Sequence, residues 1–136
     1  MKRRNAGFTL PEFLVVVFVI GVLAAIAVPS FIDMQHKANE GRTKANMHEL
    51  QHAAENYGHQ HDGRFAESAS DLIALMPDKR PLMNAFTKNL TEPSGAKNPG
   101  CVAYEYSVDS TGHGHYKISG RDTHGNDLPL VLTDGQ

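Results

Sequence analysis

The chain has one cysteine, Cys101, so it cannot close a disulfide within itself. Its C-terminal end must be held by packing, hydrogen bonds or metal, or Cys101 must pair between chains; alone, the thiol reads as a small buried apolar residue. Charge is missing over a long stretch, since Phe13 to Ile32 contains no charged side chain. About 20 such residues as helix, at roughly 1.5 Å each, cross a hydrocarbon core of about 30 Å, which places one helix in a membrane. Basic residues are scarce outside the opening. Of 13 basic and 15 acidic residues, Lys2, Arg3 and Arg4 lie ahead of the span, and without them the balance is 10 to 15, or −5. That acidic excess argues against a broad nucleic-acid-binding surface and leaves only a local patch, Arg42 to Lys44. With 136 residues and the anchor subtracted, one small domain with a modest core remains, and a second is not expected.

What is present is concentrated at the front. Lys2, Arg3 and Arg4 before the apolar run keep the N-terminus cytoplasmic by the positive-inside tendency and send the remainder across. A secretory signal carries its cleavage site after the apolar region, whereas here the small residue, Gly7, precedes it, so a cut at Gly7 leaves the anchor attached. Glu12 then stands at the start of the apolar helix. An ionised carboxylate in hydrocarbon costs a few kcal/mol at least, so an acid there calls for a partner or a function.

On these residues the chain resembles a type IV prepilin, the precursor class shared by type IV pili and type II secretion pseudopilins. The resemblance rests on the basic leader, Gly7 before the cut, Phe8 after it, Thr9-Leu10, Glu12 at the fifth mature position, and Gly21 and Pro29 within the apolar run. It is close over residues 1 to about 57 and looser beyond. It implies a membrane aspartyl peptidase that removes Met1 to Gly7 and methylates the new amine of Phe8. It also implies that Glu12 pairs with the Phe8 amine of its own or a neighbouring subunit during filament assembly, and that Gly21 and Pro29 bracket a segment that loosens in the filament.

Two prolines bear on this. Pro11 departs from the aliphatic residue more usual in the family; in a helix that begins at Phe8 it falls among the first four residues, whose N–H groups lack a helical acceptor. A helix running back through the leader would set its ring against the Gly7 carbonyl, so Pro11 favours an irregular, accessible Gly7-Phe8 bond. Pro29 lies inside the helix, removes the bond to Ala25 and predicts a kink.

Beyond the membrane, Met47, Leu50, Ala53, Ala54 and Tyr57 recur at helical spacing, with Lys44, Glu49, Gln51 and Glu55 on other faces and Gly58 as a stop. Gly41 is the weak point of this helix. His48-Glu49-Leu50-Gln51-His52 reads literally as H-E-x-x-H, the zinc-peptidase turn with a glutamate base. The continuing G-x-x-H is absent, and Leu50 lies on the apolar stripe, so a solvated helix face is the better reading. His59 to Phe65 reads as a turn, then Ser68 or Ser70 caps a short helix at about 70–76 that Pro77 ends, with Leu72, Ile73, Leu75 and Met76 packing on the first helix. Residues 77–100 read as a long loop with Phe86 and Leu90 as anchors.

Val102 to Val108, His115 to Ser119 and Leu128 to Thr133 read as an antiparallel sheet within 101–136, with Val102, Tyr104, Tyr106 and Val108 on one face that needs the helix to cover it. The fold class is α+β, and a long N-terminal helix on a small sheet is the type IV pilin fold. Asp122, Asn126, Asp127 and Asp134 offer oxygen ligands to calcium, which the main pseudopilin commonly holds near its C-terminus; their spacing matches no defined loop, so turn residues are the simpler reading. His113 and His115, with His59, His61 and His124, offer metal ligation or a response to pH near 6.5, with nothing in the spacing to make them converge.

The function implied is structural: a filament subunit, with a cleaved leader (1–7), a membrane and filament-core half-helix (8–32) and a head (33–136). It would be stored in the inner membrane as a single-pass protein with its C-terminal part outside the cytoplasm, and then become a pilus or periplasmic filament. Implied partners are further copies of the chain, the peptidase and methyltransferase, and an assembly platform with a cytoplasmic ATPase. Neither catalysis nor a cofactor is called for. The alternatives are a major pseudopilin of type II secretion and, from another class, an anchored zinc peptidase using His48, Glu49 and His52.

Overall fold

The computed structural model describes residues 7–135 and divides them into two compact units, 7–35 and 36–135. Helix α1, Leu10–Gln60, contributes to both. In the first unit it carries no buried residue at all, and Leu14, Phe18, Ile20, Leu23, Ile26 and Phe31 stand exposed all round. By length and composition this helix is long and apolar enough to cross a membrane. The helical assignment continues through Pro29.

The second unit is built on the amphipathic half of α1. Met47, Leu50, Ala53 and Ala54 are buried, Tyr57 is half-buried, and His48, Glu49, His52 and Glu55 face solvent. Gln51 sits with the buried residues rather than on the polar face. The helix runs past Gly58 to Gln60. Gly58 is instead buried in the helix, where the Phe65 ring covers it; the turn is made by Gly63, at φ +83°, whose N–H donates to the Gly58 carbonyl at 2.8 Å.

Ser68 caps α2, Ala69–Ile73, its hydroxyl accepting from the Ser70 N–H at 3.3 Å. The helix ends before Pro77, which opens a 3-10 turn, Pro77–Lys79, in keeping with proline's fixed φ and missing donor. Leu72 and Met76 are buried, with Ile73 and Leu75 packed alongside.

Residues 77–100 hold more structure than a loop. β1, Leu82–Met83, and β2, Leu90–Glu92, form an antiparallel ribbon. Leu90 is exposed and anchors nothing; Phe86 is half-buried and stacks on His36 at 6.5 Å between centroids. The anchors are polar, as described below.

β3, Val102–Val108, β4, Gly114–Arg121, and β5, Asp127–Thr133, form an antiparallel sheet in the order β3-β4-β5, with Tyr104 opposite Ile118 and Ile118 opposite Leu132. Val102, Tyr116, Ile118, Leu128 and Leu132 join the helix residues, Ala66 and Leu72 in one core. The alternation on β3 fades along the strand: Val102 is buried, Tyr104 and Tyr106 are half-buried, and Val108 is exposed. Gly120 marks the closest approach of sheet to helix, since a Cβ there would lie 2.6 Å from Met47 Sδ and 3.2 Å from Thr43 Cγ2. The hydroxyls of Tyr104 and Tyr116 both find acceptors. The Tyr104 hydroxyl donates to the Ala66 carbonyl at 2.7 Å, and the Tyr116 hydroxyl to Glu55 at 3.4 Å. Burial pushes the Tyr116 phenol up to about 12. The architecture is α+β and type IV pilin-like: a long N-terminal helix, apolar in its first half, packed through its second half on a small antiparallel sheet.

Candidate functional site

At the front of the chain, Gly7, Phe8 and Thr9 are not helical, and α1 begins at Leu10. Gly7 is exposed and Phe8 is 70% exposed, so the peptide bond between them lies open. The start of α1 is set by Thr9, Leu10, Pro11 and Glu12. Glu12 Oε2 accepts from the Thr9 N–H at 2.9 Å and from the Thr9 hydroxyl at 2.6 Å, while the Thr9 carbonyl accepts from Phe13 N–H at 3.2 Å. This is one half of a capping box: the third helical residue reaches back and satisfies a donor the helix cannot, while the Thr9 hydroxyl donates to the same carboxylate. Pro11, the second helical residue, has no N–H to leave unpaired, which reconciles it with the helix start. The Thr-x-x-Glu spacing is a legible signal for this contact, which the pairing of Glu12 with a Phe8 amine does not include. Gly21 and Pro29 lie further along α1 on exposed helix.

The head has a second constellation that sequence reasoning missed. Glu92 is fully buried and, among the described residues, is held by neutral donors. Its Oε1 accepts from Asn84 Nδ2 at 2.9 Å and from Thr91 Oγ1 at 3.1 Å. Its Oε2 accepts from the Val102 N–H at 2.8 Å and from the Ser94 N–H and hydroxyl at 3.2 and 3.1 Å. Burial, the largest single influence, raises its pKa, but donation from Asn84, Val102, Ser94 and Thr91 together outweighs it and holds the carboxyl below its ordinary value. Asn84 Oδ1 accepts from the Phe86 and Thr87 N–H groups, and its Nδ2 also meets the Pro99 carbonyl and Cys101 Sγ. The pair thus ties the β1–β2 ribbon to the first residue of β3. Cys101 is a free, buried thiol at its edge.

The H-E-x-x-H residues lie on the open face of α1: His48, Glu49 and His52 are exposed, while Leu50 and Gln51 between them are buried. The oxygen-rich residues near the C-terminus have separate occupations. Asp122 accepts from the His124 and Asn126 N–H groups, Asp127 pairs with Arg121, and Asp134 meets His115. Of the histidines, His61 stacks on Tyr57 at 3.9 Å and its Nδ1 donates to the Tyr57 carbonyl at 2.9 Å, while His113 meets Thr111. Among the described residues no three His, Cys, Asp or Glu side chains gather in a group able to hold a metal ion.

Residues 2–28 match the model of the prokaryotic N-terminal methylation motif. The chain is 39% identical over 76 residues to the type IV major pilin protein PilA of Myxococcus xanthus, covering 56% of this chain and 34% of that protein. It is 36% identical over 56 residues to the type II secretion system core protein G of Aeromonas hydrophila, covering 41% and 39%. It is 48% identical over 42 residues to the type IV narrow pilus major component PilA5 of Thermus thermophilus, covering 31% and 36%. The chain thus spans between a third and two fifths of the length of these relatives. No solved structure matches it. Residues 2–28 thus carry the prokaryotic N-terminal methylation motif, and the chain is similar over part of its length to type IV pilins and to core protein G of type II secretion.

Proposed function

We propose that this chain is the structural subunit of a type IV pilus-type filament, processed between Gly7 and Phe8 and assembled through the apolar half of α1. The observation that carries the reading is the juxtaposition at the helix start: an open, non-helical Gly7-Phe8 bond directly ahead of the apolar half of α1, residues 10–32, which is wholly exposed and has Glu12 as its one acid. An exposed apolar surface of this extent demands lipid or other copies of itself. In the membrane, lipid covers the helix, with the head outside the cytoplasm; in the filament, neighbouring helices take its place.

Cleavage would expose the Phe8 amine, to be methylated, one residue from the Thr9 cap. A neighbour's cationic amine gives Glu12 an ionic partner in place of the neutral Thr9 donors, and charge-assisted bonds are the stronger kind. Gly21 and Pro29 would then permit the helix to loosen as it leaves lipid. The partners are the peptidase and methyltransferase, a membrane platform with a cytoplasmic ATPase, and further copies of the chain. No catalysis is assigned to the chain itself. The similarity to core protein G of type II secretion keeps a short pseudopilus as the second reading.

Intact mass and N-terminal sequencing of membrane-extracted and sheared protein test this. A chain starting at N-methylated Phe8 and abundant in the sheared fraction is the expected result. The same mature end confined to the envelope moves the assignment to a pseudopilin or minor subunit, and an intact Met1 in cells with a working peptidase overturns the filament reading.

A further inference from the structure

A C-terminal strand without a disulfide needs another fastening, and one lies at the open end of the sheet. Asp134, directly after β5, places Oδ2 2.6 Å from His115 Nδ1, and its Oδ1 accepts from the Tyr116 N–H at 3.3 Å. The other ring nitrogen, His115 Nε2, lies 3.3 Å from Asp109 Oδ2 in the turn between β3 and β4. Asp109 is itself fixed, since its Oδ1 accepts from the Thr111 N–H and hydroxyl and from the His113 N–H at 2.7–2.9 Å. One imidazole therefore bridges a turn and a chain end, with a carboxylate at each nitrogen.

That geometry fixes the proton count. A neutral imidazole has one N–H and one lone pair, so one of the two carboxylates would face a lone pair; the imidazolium donates to both. We propose that Asp109, His115 and Asp134 form a proton-operated clasp, closed while His115 is protonated, that fastens the end of β5 to the β3–β4 turn. Among the described residues no other cation pairs with either carboxylate. Lys117, next on the same face of β4, reaches Glu105 of β3 at 3.7 Å; Ser107 is the β3 residue opposite His115; His113 turns to Thr111; and Tyr116 points the other way toward Glu55 of α1. Hydrogen bonds to Asp134 and then Asp109 raise the imidazole's pKa above its ordinary 6.5. A raised folded-state value means the clasp is fully closed below 6.5 and opens as pH climbs through the folded value.

The test uses the full chain in detergent micelles, with 15N imidazole spectra and amide exchange of residues 128–135 followed from pH 5.5 to 9.5. We expect both His115 nitrogens protonated at low pH, a midpoint above 6.5, and protection of 128–135 that falls across the same midpoint. After correction for intrinsic exchange, the fall should be about tenfold for each pH unit separating that midpoint from 6.5. His115→Gln should remove the inflection, and Asp134→Asn should lower the midpoint. Because a variant could misfold, the wild-type readings decide alone: a midpoint at or below 6.5, or protection that ignores it, overturns the clasp.

Discussion

Glu92 Oε2 and the Val102 N–H meet at 2.8 Å inside the head, joining the last residue of β2 directly to the first of β3. A buried carboxylate held only by neutral donors is costly to disturb, because removing it strands several donors at once. Glu92→Gln keeps the size but turns an NH2 group toward Asn84 Nδ2 or the Val102 N–H. It should destabilise the protein by about 2–3 kcal/mol, read from denaturant unfolding of the full chain in detergent. An unchanged midpoint would mean that the ribbon is held by other contacts.

Gly100 stands against the same network. Its φ of +75° suits glycine, and a Cβ there would lie 2.6 Å from the Phe86 ring and 2.8 Å from Asn84 Oδ1. Gly100→Ala should therefore cost about 2 kcal/mol or more, and it should loosen residues 84–100 in amide exchange ahead of the core. Gly95→Ala, at φ +65° but with open space around it, separates the two causes by incurring the strain without the collision.

The long helix and its buried stripe were legible because their signals are local and periodic. Met47, Leu50, Ala53 and Ala54 repeat at helical spacing, and nothing distant is needed to read them. The front of the chain was legible as a motif, though its cap was overlooked. Glu92 was not, because composition places acids outside and its donors come from Asn84, Thr91, Ser94 and Val102, whose convergence only tertiary structure creates. The same holds for Asp134 and His115, 19 residues apart and joined by strand pairing. Gly58 misled because glycine is a common helix stop, but close packing against Phe65 also requires one.

Thr9 gives a prediction that divides the helix cap from the assembly role of Glu12. Thr9→Val removes the hydroxyl that donates to Glu12 while keeping the backbone N–H bond, and should loosen the helix start. Faster exchange confined to residues 10–14 of the membrane-extracted protein would show it. Glu12→Gln should leave the cap largely in place, since an amide oxygen still accepts from Thr9, yet should cut filament yield sharply. Equal filament yield from Glu12→Gln and wild type would remove the ionic role assigned to this residue.

His48, Glu49 and His52 are exposed, with no third ligating side chain grouped with them among the described residues. Glu49→Gln and the double change His48→Ala, His52→Ala should alter stability by no more than about 0.5 kcal/mol and leave filament yield unchanged. Stoichiometric zinc in the purified protein, together with proteolysis lost in Glu49→Gln, would instead revive the peptidase reading.

Stability should fall at both ends of the pH scale for different reasons. Glu92 and Asp109 have carboxyl pKa values held below the ordinary range. Asn84, Val102, Ser94 and Thr91 prevail over burial at Glu92, and the Thr111 hydroxyl leads the lowering at Asp109. Groups depressed on folding contribute stability above their unfolded values, and lose it as pH drops through the folded ones, so an acid limb begins below about 4.5. His115 is raised, so its share is intact below 6.5 and disappears as pH climbs above it. The apparent Tm of the full chain in detergent should therefore plateau between about pH 5 and 6.5 and decline on either side. In Glu92→Gln the acid limb should flatten in part, leaving the Asp109 share, while the alkaline limb stays; in His115→Gln the alkaline limb should flatten while most of the acid limb stays. A profile in which either substitution changes both limbs equally would mean that the ribbon and the strand end unfold as one unit rather than as two separately held pieces.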